Sequence, residues 1–222
     1  IASREQLLSD VSHELRSPIT RAWLALEMMP NSSQKKSLAG DLKDMEIMIT
    51  GILESERLRN GTVKANLLPL NVAVLMQKLS NHYRNERHRI NIMPVNDDVV
   101  IAADELLMMT VLRNLIDNAL KYSPAALLPV EISVVKQPDG STDILIEDSG
   151  PGIPEEKLPF IFDPFYRADQ SRSRSTGGYG LGLHLCKRIL DLHNAEIQLA
   201  NKKSGGLIVR VKFPTRISKK KK

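Results

Sequence analysis

The run Ile144-Leu145-Ile146-Glu147-Asp148-Ser149-Gly150-Pro151-Gly152 reads as a strand that delivers a carboxylate onto bare, glycine-rich backbone. Working back from it, Val130 to Lys136 forms a second strand signal. Between the two lies Gln137-Pro138-Asp139-Gly140, where a hairpin tolerates proline and glycine. Working forward, Glu196 to Asn201 and Leu207 to Phe213 flank Gly205-Gly206 as another hairpin. Helices are interspersed. Asn71 can cap one carrying Val72, Leu75, Met76 and Leu79, and Asp104 can cap another that runs to Lys121 and stops at Pro124. A third should follow Gly180. Strands and helices do not alternate strictly, so the expectation is α+β, an α/β sandwich with helices on one face of a mixed sheet.

The N-terminal segment has a different period. Leu8, Val11, Leu15, Pro18, Ala22, Ala25 and Met29 recur at spacings of three and four, and after the Pro30-Asn31-Ser32-Ser33 breaker Leu38, Leu42, Met45, Ile49 and Ile52 do the same. This predicts a helical hairpin that stops near Asn60-Gly61. Two helices bury little apolar surface, so the hairpin should pair with a second copy as a two-fold four-helix bundle. The expected organisation is a helical hairpin over 1–62, a linker over 63–70, a second domain over 71–216 and a basic tail over 217–222.

The chain of 222 residues is 42% hydrophobic and 26% charged, values of a folding globular protein rather than a disordered one. No apolar run approaches the roughly 20 residues of a membrane span, and Ile1 does not open a signal peptide, so the fragment is expected to be soluble. The single Cys186 offers neither an internal disulfide nor a cysteine metal site; Leu185 and Ile189 beside it suggest a buried thiol. The net charge of +5 sits largely in the Lys219 to Lys222 run, which argues against a nucleic-acid surface.

Three clusters carry chemistry. In His13-Glu14-Leu15-Arg16-Ser17-Pro18, His13 falls on the helix face opposite the apolar seam, and Glu14 can hold one ring nitrogen while the other attacks. Pro18 should kink that helix. Asn114, Asn118 and Lys121 share one stripe of a helix whose other side is apolar; Asn114 can offer a neutral oxygen to Mg²⁺, and Asn118 and Lys121 can reach phosphate oxygens. Asp148, beside Gly150 and Gly152, can accept from the adenine amino group. Gly177-Gly178-Tyr179-Gly180-Leu181-Gly182-Leu183 opens a helix whose amides can receive phosphates. Between these last two stands Phe162-Asp163-Pro164-Phe165-Tyr166-Arg167, followed by a polar stretch expected to act as a lid.

Taken in order, these boxes resemble those of the sensor histidine kinases of two-component signalling, and the resemblance covers nearly the whole chain. It implies a dimerising phosphotransfer hairpin followed by a Bergerat-type domain that binds ATP and Mg²⁺. It implies further that His13 is the phosphoacceptor, Glu14 its base, Asn114 the Mg²⁺ ligand and Asp148 the adenine-reading carboxylate. Asn118 and Lys121 would contact phosphates and Tyr122 would pack on adenine, with Gly150, Gly152, Gly178, Gly180, Leu181 and Gly182 lining the nucleotide. The implied partners are a response regulator receiver domain and a second copy of the chain, and the implied setting is the cytoplasmic portion of a membrane-anchored sensor. Ser17 stands where relatives that dephosphorylate their partner usually carry threonine or asparagine, and Tyr179 stands where a small hydroxyl residue is usual. Two rivals are a nucleotide-binding dimerisation scaffold and an ATPase of the same fold. The ATPase would need a glutamate four residues before Asn118, where this chain has Asn114.

Overall fold

The computed structural model describes residues 15, 17–59, 63–124, 128–168 and 179–215. His13, Glu14, Gly178 and the 217–222 tail lie outside the described residues. The chain divides into two compact units, Ile1–Lys64 and Ala65–Lys222.

In the first unit, helix α1 (17–27) and helix α2 (Ser33–Arg59) form the expected hairpin. The turn between them is closed by reciprocal caps. Ser32 Oγ accepts from Lys35 N at 3.1 Å at the start of α2, while Lys35 Nζ donates to Glu27 O and Met29 O at the end of α1. The buried side of α1 differs from the expected seam. Ile19 and Leu26 are buried and Ala22 and Trp23 half-buried, whereas Leu15, Pro18, Ala25 and Met29 are exposed. A helix with Ile, Ala, Trp and Leu spread round several faces offers overlapping stripes, and packing selects one of them. In α2, Leu42 and Ile49 are half-buried, but Leu38, Met45 and Ile52, spaced by seven, stay exposed.

The second unit contains strand β1 (Leu68–Asn71), helix α3 (Val72–His82), strands β2 (Ile90–Ile92) and β3 (Val100–Ala103), helix α4 (Glu105–Tyr122), strands β4 (Val130–Lys136) and β5 (Thr142–Glu147), helix α5 (Gly182–Leu192), and strands β6 (Glu196–Asn201) and β7 (Leu207–Phe213). Two 3-10 turns, Arg84–Arg89 and Glu155–Phe160, are interposed. The main sheet runs β2-β4-β5-β7-β6, with β2 parallel to β4 and the other pairs antiparallel, and β1 pairs with β3 in a separate ribbon. It is therefore the expected mixed sheet. Its inner face is set by register: Ile132 opposite Ile146, Ile146 opposite Val209 and Ile144 opposite Val211. Against it lie Met108, Leu112, Leu115 and Ile116 of α4 with Cys186, Ile189 and Leu190 of α5, all nearly inaccessible to water. Both expected caps form: Asn71 Oδ1 accepts from Val74 N at 3.0 Å, and Asp104 Oδ1 accepts from Leu106 N and Leu107 N.

The division between the units, at Lys64–Ala65, falls inside the expected linker over 63–70, and the second unit begins before residue 71. Leu68 to Leu70 pair with β3, and Asn66 N already donates to Asp104 Oδ2 at 3.0 Å, so this stretch belongs to the second unit. Strands of three or four residues are too short to show alternation, and Pro69 further disguises β1.

Cys186 is fully buried, and burial pushes its thiol up to about 12. It should resist maleimide in the folded chain and react fully once denatured. Because the folded thiol holds its proton more tightly than the unfolded one, its contribution is complete below the ordinary thiol range and is lost as pH rises toward about 12. Denaturant titrations at pH 8 and pH 10 should show lower stability at the higher pH, a difference that Cys186→Ala reduces.

Candidate functional site

Helix α4 is the spine of the site. At its middle, Asn114 Nδ2 donates to Thr110 O at 2.9 Å, which fixes the amide and turns Oδ1 toward the start of α5: a Cβ added to Gly182 would lie 2.9 Å from that oxygen. Only glycine lets the two helices approach this closely. Leu181, at the N-cap of α5, supplies no side-chain cap to the helix. Leu181 itself is buried and holds the helix start against the core.

The other end of α4 meets the Asp148 turn. A Cβ on Gly150 would lie 3.0 Å from Tyr122 O, and Ser149 N donates to Ser123 Oγ at 3.2 Å. Asp148 is almost wholly buried, and its Oδ1 accepts from Gly150 N at 2.8 Å and Leu207 N at 3.1 Å. Two backbone donors thus orient the carboxylate and leave Oδ2 to receive another. The turn is tightened by Gly152 at φ +72 and backed by Gly206, whose φ is +93 and where a Cβ would meet Asp148 O at 2.1 Å.

Residues 114 and 122 are eight apart on one helix, which sets the two ends of the site about 12 Å from each other along its axis. Asn118 and Lys121, both half-buried, lie on the same stretch of α4. The Tyr122 ring is exposed, with Lys121 Nζ 4.9 Å from its centroid.

The phenylalanine box packs on the approach to α5. Phe165 adopts φ +66 and its N–H donates to Gly180 O at 3.1 Å; Gly180, at φ +73, is hemmed in by Tyr166 O, 2.5 Å from where a Cβ would stand. His184 Nδ1 lies 2.8 Å from Phe162 O, tying the box to α5. Ser17 is exposed in α1, in the other unit.

The structure therefore brings Asn114 to Gly182 and Asp148 to Gly150, Tyr122 and Gly206. Ser123, His184, Gly206 and Asn201 also shape the site without having been singled out from sequence. Of these only Gly206 carries a signal in the sequence, as half of a glycine pair that by itself marks a turn.

A protein-family model for the histidine kinase-, DNA gyrase B-, and HSP90-like ATPases matches residues 103–217, just over half of the chain. The chain belongs to this ATPase family. With membership comes ATP binding by that domain. The chain is 34% identical over 221 residues to sensor protein RstB of Escherichia coli, covering 96% of this chain and 49% of that protein. It is 31% identical over 213 residues to the sensor histidine kinase GtrS of Pseudomonas aeruginosa, covering 95% and 42% respectively. Full-length ShkA in complex with AMPPNP matches with a TM-score of 0.73 at 22% identity, over 94% of this chain and 45% of that one, which shows a shared fold. A helical hairpin followed by an ATPase domain is thus the arrangement of histidine kinases. The chain spans about half the length of the curated relatives it matches.

Proposed function

We propose that this chain is the kinase core of a two-component sensor, phosphorylating its own His13 from ATP and passing the phosphoryl group to an aspartate of a response regulator receiver domain. The observation that carries this reading is the character of residue 114. In a site otherwise built for ATP, the side chain facing the start of α5 is a neutral amide held by Thr110, not a carboxylate able to activate water. Transfer to a protein nucleophile is then favoured over hydrolysis, and the hairpin supplies one in His13.

In this reading Asp148 Oδ2 accepts from the adenine amino group, Tyr122 packs on the base, and Gly150 and Gly152 let the backbone approach it. Asn118, Lys121 and the amides around Gly178, Gly180, Leu181 and Gly182 take the phosphates. Asn114 Oδ1 is a single neutral oxygen, and among the described residues no three His, Cys, Asp or Glu side chains cluster as a metal site. That donor set fits Mg²⁺, which draws most of its oxygens from phosphate and water. Bound there, Mg²⁺ would neutralise charge on the departing diphosphate. Glu14 accepts the proton from one imidazole nitrogen of His13 as the other attacks the γ-phosphorus in line. The N–P bond forms as the bond to ADP breaks, and ADP leaves with the electron pair.

Leu38, Met45 and Ile52, which a single hairpin leaves exposed, form the stripe on which a second copy would close a four-helix bundle. Ser17 would orient water for a weak phosphatase activity. Among the described residues no helix is long and apolar enough to cross a membrane. In this reading the parent protein carries a sensory portion and a membrane anchor, and similarity to sensor proteins supports the first of these.

γ-Labelled ATP should place on the chain a label that is acid-labile and alkali-stable, and the label should move to an added receiver domain. Phosphate released to water with no labelled protein would favour the ATPase reading, and ATP binding with neither outcome the scaffold.

A further inference from the structure

The turn that presents Asp148 is held at both ends by the β6–β7 hairpin. At the near end, Asp148 N donates to Leu207 O at 2.9 Å, Leu207 N donates to Asp148 Oδ1, and Gly206 presses against Asp148 O. At the far end stands Asn201, the last residue of β6. Its Oδ1 accepts from Ile153 N at 2.8 Å and its Nδ2 donates to Ile153 O at 2.6 Å. One side-chain amide thereby satisfies both polar groups of Ile153, as a neighbouring strand would.

Gly152 is fitted to the same amide. A Cβ there would lie 2.5 Å from Asn201 Oδ1, so the turn closes around this side chain rather than merely near it. Asn201 is exposed and contributes nothing to the apolar core. Its two hydrogen bonds, open to water, add little to global stability. What they fix is local: with Asp148 gripped at one end and Ile153 at the other, the arc from Ser149 to Gly152 is pinned at both ends.

We propose that Asn201 is a positioning residue for adenine recognition, setting the turn so that the free oxygen of Asp148 meets the amino group of the base. The inference rests on the adenine role of Asp148. It predicts an effect specific to the base rather than a general loosening of the site.

The test compares ATP with inosine triphosphate, which lacks the amino group, on the full chain. Wild type should prefer ATP. Asn201→Ala should raise KM for ATP about tenfold with kcat within about twofold. It should change KM for inosine triphosphate little and leave the thermal midpoint within a few degrees of wild type. Asn201→Asp keeps the acceptor but sets a carboxylate oxygen against Ile153 O, and should lose at least as much ATP affinity. Equal weakening for both nucleotides, or unchanged ATP binding in both variants, would overturn the role of Asn201 while leaving Asp148 in place. A wild type with no preference between the two nucleotides would overturn the adenine reading and this inference with it.

Discussion

Asp148→Asn is expected to fold as wild type does and to bind ATP about a hundredfold more weakly. The substitution keeps an oxygen where Gly150 N and Leu207 N donate, at 2.8 and 3.1 Å, and those two donors dictate which way round the amide sits. The NH₂ group then replaces Oδ2 and faces the adenine amino group, donor against donor. A charge-assisted hydrogen bond is lost and a buried donor is left unpaired, together about 3 kcal/mol at a site almost closed to water. Asp148→Ala is the less informative change, because it also strips both backbone N–H groups of their acceptor and lowers stability through the turn. Ligand-induced stabilisation reads the difference. ATP at a concentration one hundred times the wild-type Kd adds about 2.7 kcal/mol to wild type, and the same concentration should add only about 0.4 kcal/mol to the asparagine variant. An undiminished thermal shift would remove Asp148 from the nucleotide site.

Asp148 was legible because its neighbourhood is locally odd: a carboxylate at a strand end followed by two glycines has few structural uses. Asn114, Asn118 and Lys121 were legible for a related reason, as polar groups gathered on one stripe of an otherwise apolar helix. The caps at Asn71 and Asp104 were equally local, and α3 and α4 begin one residue after them. What could not be read is whatever acts across the chain. Asn201 lies 48 residues from Ile153, and its identity at the end of β6 looks like an ordinary strand terminus until the partner is in place. The same holds for Ser123, whose hydroxyl meets the Asp148 turn from 26 residues away. The seam of α1 is ambiguous for a different reason. Leu15, Pro18 and Ala25 fit the period as well as Ile19, Trp23 and Leu26 do, and only the facing side chains of α2 decide between the two stripes. The β1-β3 ribbon shows a third limit, since each of its strands is stabilised by its partner and carries almost no pattern alone.

His13→Gln is expected to abolish the acid-labile label while leaving ATP binding unchanged. Glutamine is a good helix former of similar length, so the hairpin has no cause to unfold. Its amide nitrogen, however, has its lone pair delocalised into the carbonyl and cannot attack phosphorus, whereas the imidazole offers an sp² lone pair once Glu14 holds the proton on the opposite nitrogen. ATP affinity should be untouched because Asn114, Asp148 and Gly182 all belong to the compact unit Ala65–Lys222, and His13 belongs to Ile1–Lys64. The two variants therefore fail in opposite ways: His13→Gln binds without transferring, and Asp148→Asn retains the acceptor but lacks the bound donor. At ATP concentrations well above its weakened Kd, Asp148→Asn should regain label, since only binding has been impaired; no concentration of ATP should restore it to His13→Gln. Acid-labile label persisting in His13→Gln would place the acceptor on another side chain and withdraw the hairpin from the reaction.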